Sequence, residues 1–465
     1  MKKLTIFGLL LLFMASCTEE NITLPEAQPE DVSDDIEATV YMDELLCSYY
    51  LYAEEYASIT RDTDMMYDDF LETTLTSMQT NTLDYKNGYL YSFVTRTARS
   101  AASLSSRSSA IPDSGMSLGF VSFTLTTYGS SNSVALGVNG VYKESSAEEI
   151  GFVRGYFITH VNGEELTTSN YYDSAVALLY PSDSTPVELT VELTTSALVS
   201  SSLTAQTVSI SAKETEYNPV LKSEIYNDNI GYLVYSSFIK STTRLEEAMA
   251  SFAAAGVTDL ILDLRLNGGG YNDSANVMAS CIAGSAHVGD LFNKRIYNPY
   301  ISDSDEFFMS VSGSPYLGLS RIYCLVSDST ASASELVING LEGIDIEVIL
   351  IGETTNGKNV GMYEFIFSTE SWTYEFYPIC FRSVNAKDWG SYENGFTPDY
   401  YVDEWNGGAN FSDFTQSEAL VAKAISLISG EATSSAHSIS KSGASLSKRE
   451  VILGAGQFNG SIAVK

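Results

Sequence analysis

The chain has 465 residues, enough for two or three domains rather than one core, and its 44% hydrophobic and 18% charged content is that of a globular protein, not a disordered one. Against 25 basic residues stand 59 acidic ones, a formal net charge of −34 spread along the sequence. This excludes a nucleic-acid partner and docking on anionic lipid through a basic face, since both need positive potential; a solubilising acidic surface accounts for most of it.

Lys2 and Lys3 precede an apolar run from Leu4 to Met14, too short to span a bilayer and of signal-peptide length. It closes in Met14-Ala15-Ser16-Cys17, which resembles a bacterial lipobox. The resemblance implies removal of residues 1–16 and a lipid anchor on Cys17; a plain secretory signal with an incidental cysteine is the rival reading. Thr18-Glu19-Glu20 resembles the acidic export signal of some surface lipoproteins. The expected location is therefore the outer membrane, on its periplasmic face or at the cell surface. Residues 17–35 read as an acidic tether.

From Ile36 the pattern turns helical, with Tyr41, Met42, Leu45, Leu46, Tyr49, Tyr50 and Ala53 forming one stripe at three- and four-residue steps. A second helix is expected over Met65–Leu75, and residues 36–100 read as a helical N-terminal domain. Its Tyr/Met stripe is a packed helical face before it is a ligand box. Arg96 to Gly115, rich in Ser, Ala and Arg, reads as a linker.

Short β-like runs follow at Gly119–Phe123, Ser133–Gly137 and Pro186–Val191. Between them, Ser146-Ala-Glu-Glu starts a helix, Gly151 stops it, and a strand leads to an Asn162-Gly163 turn. The segment resembles a PDZ domain over residues 116–212, on Ser146, Ala147, Gly151, Gly155, Ile158, Val161, Asn162 and Gly163. Ser146 stands where Pro is usual and Tyr156 where Asp is usual. The resemblance implies binding of an extended or C-terminal peptide by strand addition, with Leu118, Gly119 and Phe120 as the candidate carboxylate loop.

Beyond Asn229 continuously apolar strands alternate with helices: a strand over Ile230–Phe238, a helix over Leu245–Ala255, a strand over Asp259–Leu264 and a helix over Ala275–Ala283. That is the texture of a parallel sheet covered on both faces. Cys47, Cys281, Cys324 and Cys380 are far apart, with no CxxC and no Cys/His cluster at ligand spacing, so no metal site and no cofactor are expected.

Three motifs carry chemistry. Ser332 follows the apolar run Ile322–Val326 and stands where a helix starts, so the Ala333 N–H and the helix dipole would face a developing oxyanion. Taken alone, Ser332-Ala-Ser-Glu335 is better read as an S-x-x-E capping box. Asn267-Gly-Gly-Gly270 closes the strand ending at Leu264; its spacing is not that of a phosphate loop, and taken alone it is a tight turn. Lys358 ends Gly352-Glu-Thr-Thr-Asn-Gly-Lys358 after a buried strand; as a base it needs a pKa roughly 3 units below its ordinary value.

Together these motifs resemble the carboxyl-terminal processing (tail-specific) serine proteases. The match lies on Asp263, Leu264, Arg265, Asn267, Gly269 and Gly270, on Thr330 to Glu335, on Gly352, Glu353, Thr355, Gly357 and Lys358, and on Gly395-Phe-Thr-Pro-Asp399. The resemblance implies Ser332 as nucleophile, Lys358 as general base, and an oxyanion hole from the backbone of Ala333, Gly269 and Gly270. Many family members carry a Gln four residues after the lysine; here Met362 holds that place, so either another group, with Glu353 and Glu335 as candidates, orients Lys358, or the dyad is weak. The expected architecture is multidomain α/β: an N-terminal helical segment, a PDZ-like β-rich domain, an α/β protease core over 213–430 with a mostly parallel sheet, and a Ser-rich extension over 431–465. The expected function is endoproteolysis of exported or unfolded polypeptides. The alternative is a peptide-binding lipoprotein that retains the fold without turnover.

Overall fold

A computed structural model describes residues 22–23, 34–86, 88–98, 116–127, 132–192, 205–404, 413–430 and 451–453. The expected signal peptide, Cys17, and most of the tether, of the linker after Arg96 and of the C-terminal extension lie outside the described residues.

After a short strand at Ile22–Thr23 come three helices: α1 (Asp34–Tyr49), α2 (Ala53–Ser58) and α3 (Tyr67–Thr76). The predicted stripe is real, with Tyr41, Met42, Leu45, Leu46, Tyr50 and Ala53 all buried. It does not close on itself, however. These helices share one apolar cluster with Val360, Phe365, Phe376, Ile379 and Phe381, three hundred residues away in sequence. A strand β1 (Phe93–Ala98) pairs antiparallel with residues 372–377. The apolar face of these helices is thus covered by strands near the end of the core rather than within the N-terminal segment alone.

The β-rich unit contains β2 (Ser122–Thr127), β3 (Val134–Val138), a one-turn helix over Ser146–Glu149, β4 (Phe157–Val161), α4 (Tyr171–Leu179), β5 (Val187–Glu192) and β6 (Ala205–Ile210). Its strands run β6-β5-β4-β3-β2 across the sheet. Phe123, Leu136, Ile158, Leu178 and Leu189 form a core of its own.

The central layer is a six-stranded sheet in the order β7 (Val220–Tyr226), β8 (Ile230–Tyr235), β9 (Asp259–Asp263), β10 (Arg321–Val326), β11 (Glu347–Gly352) and β12 (Tyr400–Tyr401). All neighbours are parallel except β7 and β8. Alternate residues face opposite sides. Leu260, Leu262, Cys324 and Leu350 pack against α5 (Thr243–Ala255), α6 (Asn272–Ala283) and α7 (Ala333–Gly343). Tyr232, Ile261, Leu325 and Ile351 pack against α8 (Ala419–Ile428) and against Val121 and Tyr142 of the β-rich unit. Burial on both faces is why these strands read as unbroken apolar runs. The C-terminal ends of β9, β10 and β11 thus carry the three motifs.

Candidate active site

Ser332 sits on the turn between β10 and α7, at φ 55° and ψ −115°. A left-handed backbone is costly for a serine and persists only where surroundings enforce it. Here they do. Thr330 Oγ1 donates to the Leu264 carbonyl at 2.8 Å, while the Ala331 N–H (3.2 Å) and Ser334 Oγ (2.9 Å) both donate to the Asn267 carbonyl. The turn is stitched to the strand-end loop beside it. Ser332 is half-buried, with Ala331, Ala333 and Ser334 fully covered around it. As the first helical residue, Ala333 has an N–H with no acceptor inside the helix.

Gly269 lies against this turn. A Cβ built on it would come within 2.8 Å of Ser332 Cβ and 3.1 Å of the Ala333 nitrogen, so the missing side chain leaves the space an oxyanion needs. Its own N–H donates to Asn267 Oδ1 at 2.9 Å. The expected trio of backbone donors is therefore reduced, because the turn itself engages Gly269. The neighbouring Gly270 forms a parallel bridge with Phe238, which accepts from the Tyr271 N–H at 2.7 Å, and this leaves the Gly270 N–H on the opposite side of the segment. A side chain at 270 would overlap the Phe238 carbonyl at 2.0 Å, so glycine is required by close approach.

Glu335 ties nucleophile turn to lysine loop. Fully buried in the first turn of α7, its Oε2 accepts the N–H of Ser332 at 3.0 Å and of Lys358 at 2.8 Å; its Oε1 accepts Thr355 Oγ1 at 2.6 Å and the Gly357 N–H at 2.7 Å. Burial pushes this carboxyl's pKa up, while those four donors pull it back. Glu335, one of two candidates to orient Lys358, thus holds that residue by its backbone N–H and also acts on its ammonium through charge. Gly357 adds a tight approach, since a Cβ there would lie 2.5 Å from the Glu393 carbonyl.

Lys358 is buried, and burial lowers its pKa to about 8, against the opposing pull of Asp84 and Glu335. Its Nζ lies 5.0 Å from the centre of the Tyr91 ring. Tyr91 is itself fixed: its OH donates to Asn356 Oδ1 at 2.8 Å, and its N–H donates to Asp84 Oδ1 at 3.0 Å. Asp84 also accepts Tyr50 OH, the Ser92 N–H and Ser92 Oγ, each at 2.7 Å. Lys86 reaches the same loop, donating to the carbonyls of Glu393, Asn356 and Gly357. Met362 lies in a strand over residues 360–362, packed with the apolar cluster under the N-terminal helices. Besides Glu335, the surroundings of the lysine are thus built by Asp84, Lys86 and Tyr91, which nothing in the sequence linked to chemistry. Asp84, Lys86 and Tyr91 carry no motif, and only the fold brings them to residue 358.

Leu118 and Phe120, expected near a peptide carboxylate, point into the core of the β-rich unit. The Gly119 N–H donates to Ser117 Oγ and its carbonyl accepts from Tyr142. Arg265 enters no reaction geometry but a buried ionic cluster with Asp263, Glu404 and Glu418, shared with Arg154 of the β-rich unit. Among the described residues no group of His, Cys, Asp and Glu is placed to hold a metal, and no helix is long and apolar enough to cross a membrane.

Residues 229–402 match the model of Peptidase family S41. The chain is 30% identical over 217 residues to the carboxy-terminal processing protease CtpA of Bacillus subtilis (strain 168), covering 46% of this chain and 43% of that protein, so it spans less than half of this relative. The solved structure of a Bacteroides fragilis NCTC 9343 protein assigned to the S41 proteases superposes with a TM-score of 0.67 at 22% identity, covering 88% of this chain and 99% of that one. That likeness establishes the fold. The photosystem II D1 C-terminal processing protease aligns at 17% identity and a TM-score of 0.45, over 80% of this chain and 94% of that one. Ser332, Glu335, Asn267 and Lys358 all lie inside the matched stretch; Asp84, Lys86 and Tyr91 lie outside it.

Proposed function

We propose that this chain, whose residues 229–402 match the model of Peptidase family S41, is a serine endopeptidase of the carboxyl-terminal processing type that cuts exported or unfolded polypeptides with a Ser332/Lys358 dyad. The observation that carries this reading is the single carboxylate oxygen of Glu335, which binds the backbone of both residues. Lys358 Nζ, neutral, takes the proton of Ser332 Oγ as the oxygen attacks the peptide carbonyl. The oxyanion is met by the Ala333 N–H in the space left by Gly269, with the Gly270 N–H as second donor. As the C–N bond breaks, Lys358 returns the proton to the leaving amine, and water then hydrolyses the acyl-serine. The β-rich unit acts as a PDZ-like module that takes an extended peptide by strand addition.

Incubating the chain lacking residues 1–17 with an unstructured protein tests the assignment. Fragments should appear with the native chain and fall by on the order of 10³-fold or more with Ser332→Ala. Equal cleavage by both would remove Ser332 from the mechanism. We further propose that export leaves Cys17 lipid-modified and the enzyme anchored at the outer membrane, from the Met14-Ala-Ser-Cys17 pattern. Cys17→Ser should release the protein into the soluble fraction; continued membrane association of that variant would overturn the anchor.

A further inference from the structure

The sheet of the β-rich unit ends at β2, and an end strand presents a row of backbone groups that will pair with any extended segment. In this chain a segment of distant sequence already sits there. Residues Val451–Leu453 form β13, antiparallel to β2, with Val451 opposite Thr124, Ile452 opposite Phe123 and Leu453 opposite Ser122. The strand lies beside α4, so it occupies the furrow between the sheet edge and that helix. It covers only the first three of the six residues of β2, leaving Leu125, Thr126 and Thr127 uncovered by it.

We propose that Val451–Leu453 of the same chain are the resident occupant of the outer edge of β2 beside α4, the edge at which the PDZ-like unit would take an extended strand, and that a substrate strand must displace them. This rests on the protease reading for what the incoming strand is, but not for the exchange itself. Strand addition recognises backbone first, so the occupant shows what the edge accepts: an extended, apolar segment running antiparallel to β2, here Val-Ile-Leu. A longer incoming strand can pair along all six residues of β2, where β13 pairs along three. The occupant has the advantage of belonging to the same chain, which gives it an effective concentration on the order of millimolar. Weak polypeptide ends are thereby kept out, and extended segments with more pairing displace it.

The exchange is read without catalysis on the soluble chain carrying Ser332→Ala, using a labelled peptide of residues 448–455 (Lys-Arg-Glu-Val-Ile-Leu-Gly-Ala) as probe. Ile452→Pro removes an N–H and disfavours strand pairing. It should tighten probe binding by about tenfold, given a millimolar tether and a free-strand Kd on the order of 0.1 mM. Equal affinity with and without the proline, or no binding in either, overturns the inference. A second measurement needs no change in the tail. Amide exchange should show 451–453 protected in the free chain and losing protection under saturating probe, while 122–127 stay protected. Protection of 451–453 that persists with probe bound, or is absent from the start, also overturns it. If the unaltered chain cleaves substrate while these results fail, the protease assignment stands alone; if exchange is seen without cleavage, the reverse holds.

Discussion

Burial of the Lys358 ammonium is opposed by Asp84 and Glu335, and the balance leaves a pKa of about 8 where an ordinary lysine has 10.5. That displacement is worth roughly 3 kcal/mol in favour of the neutral amine. The Tyr91 ring, 5.0 Å from Nζ, is a further group that favours the cation. With Lys358 as the proposed base the sign for catalysis follows: it is competent when deprotonated, so kcat/KM should drop tenfold per pH unit below about pH 8 and level off above it. Tyr91→Leu removes a contact that favours the cation, about 0.5–1 kcal/mol, and should move the midpoint down by about half a pH unit; Tyr91→Phe keeps the ring and should leave it in place. A pH–rate series on the three proteins checks this, and equal midpoints would mean the ring does not act on the ammonium. The lysine was singled out in the sequence only by its Gly-Lys turn together with the serine and Asn-Gly-Gly-Gly motifs. Its neighbours were not, because a Tyr and an Asp in an unmarked segment have no pattern until the chain folds them against residue 358.

The element that organises the site is the first turn of α7. The Ser332-Ala-Ser-Glu335 pattern admits two readings, helix cap and nucleophile turn; the structure shows the cap, and the proposed nucleophile sits on it. The Glu335 side chain accepts the Ser332 N–H as a cap residue does, then extends past it to three groups of the lysine loop. A buried carboxylate at a helix N-terminus is favoured by the dipole and by four donors, and an amide cannot accept from all four. Glu335→Gln should cut kcat by roughly 10–100-fold with little change in KM, and lower stability by about 2 kcal/mol. Steady-state kinetics and thermal unfolding of the variant measure both; unchanged kcat with lowered stability would reduce Glu335 to a structural cap.

At the scale of the molecule, the β-rich unit is fastened to the core by charge as well as apolar surface. Arg154 is buried, with Nε 3.2 Å from Glu418 Oε1, a further bond to Glu404, and its guanidinium 4.9 Å from the Phe414 ring. Against burial, which alone would raise it, Arg154 and Arg265 hold the Glu418 pKa below its ordinary value. Its contribution to stability is therefore complete above the usual glutamate range and lost as pH falls through the depressed value. Arg154→Ala leaves Glu418 and Glu404 short of one partner and should destabilise by about 3–5 kcal/mol, read as a fall in Tm; Arg154→Leu combined with Glu418→Leu should cost less than the two singles summed. Additive losses would show that the pair does not interact.

By itself the sequence determined the alternation of strands and helices and the three strand-end motifs, since each is written locally in periodicity, glycine and spacing; the choice of Ser332 and Lys358 came from the family resemblance those motifs carry together. The tertiary structure alone decided what surrounds them. Residues 84–91 meet Lys358, Glu335 joins two loops, the N-terminal helices close on strands near residue 370, and Val451–Leu453 settle on β2. Each of these joins positions tens to hundreds of residues apart, where no local pattern marks the partner and only the need to cover apolar surface and pair buried polar groups selects it.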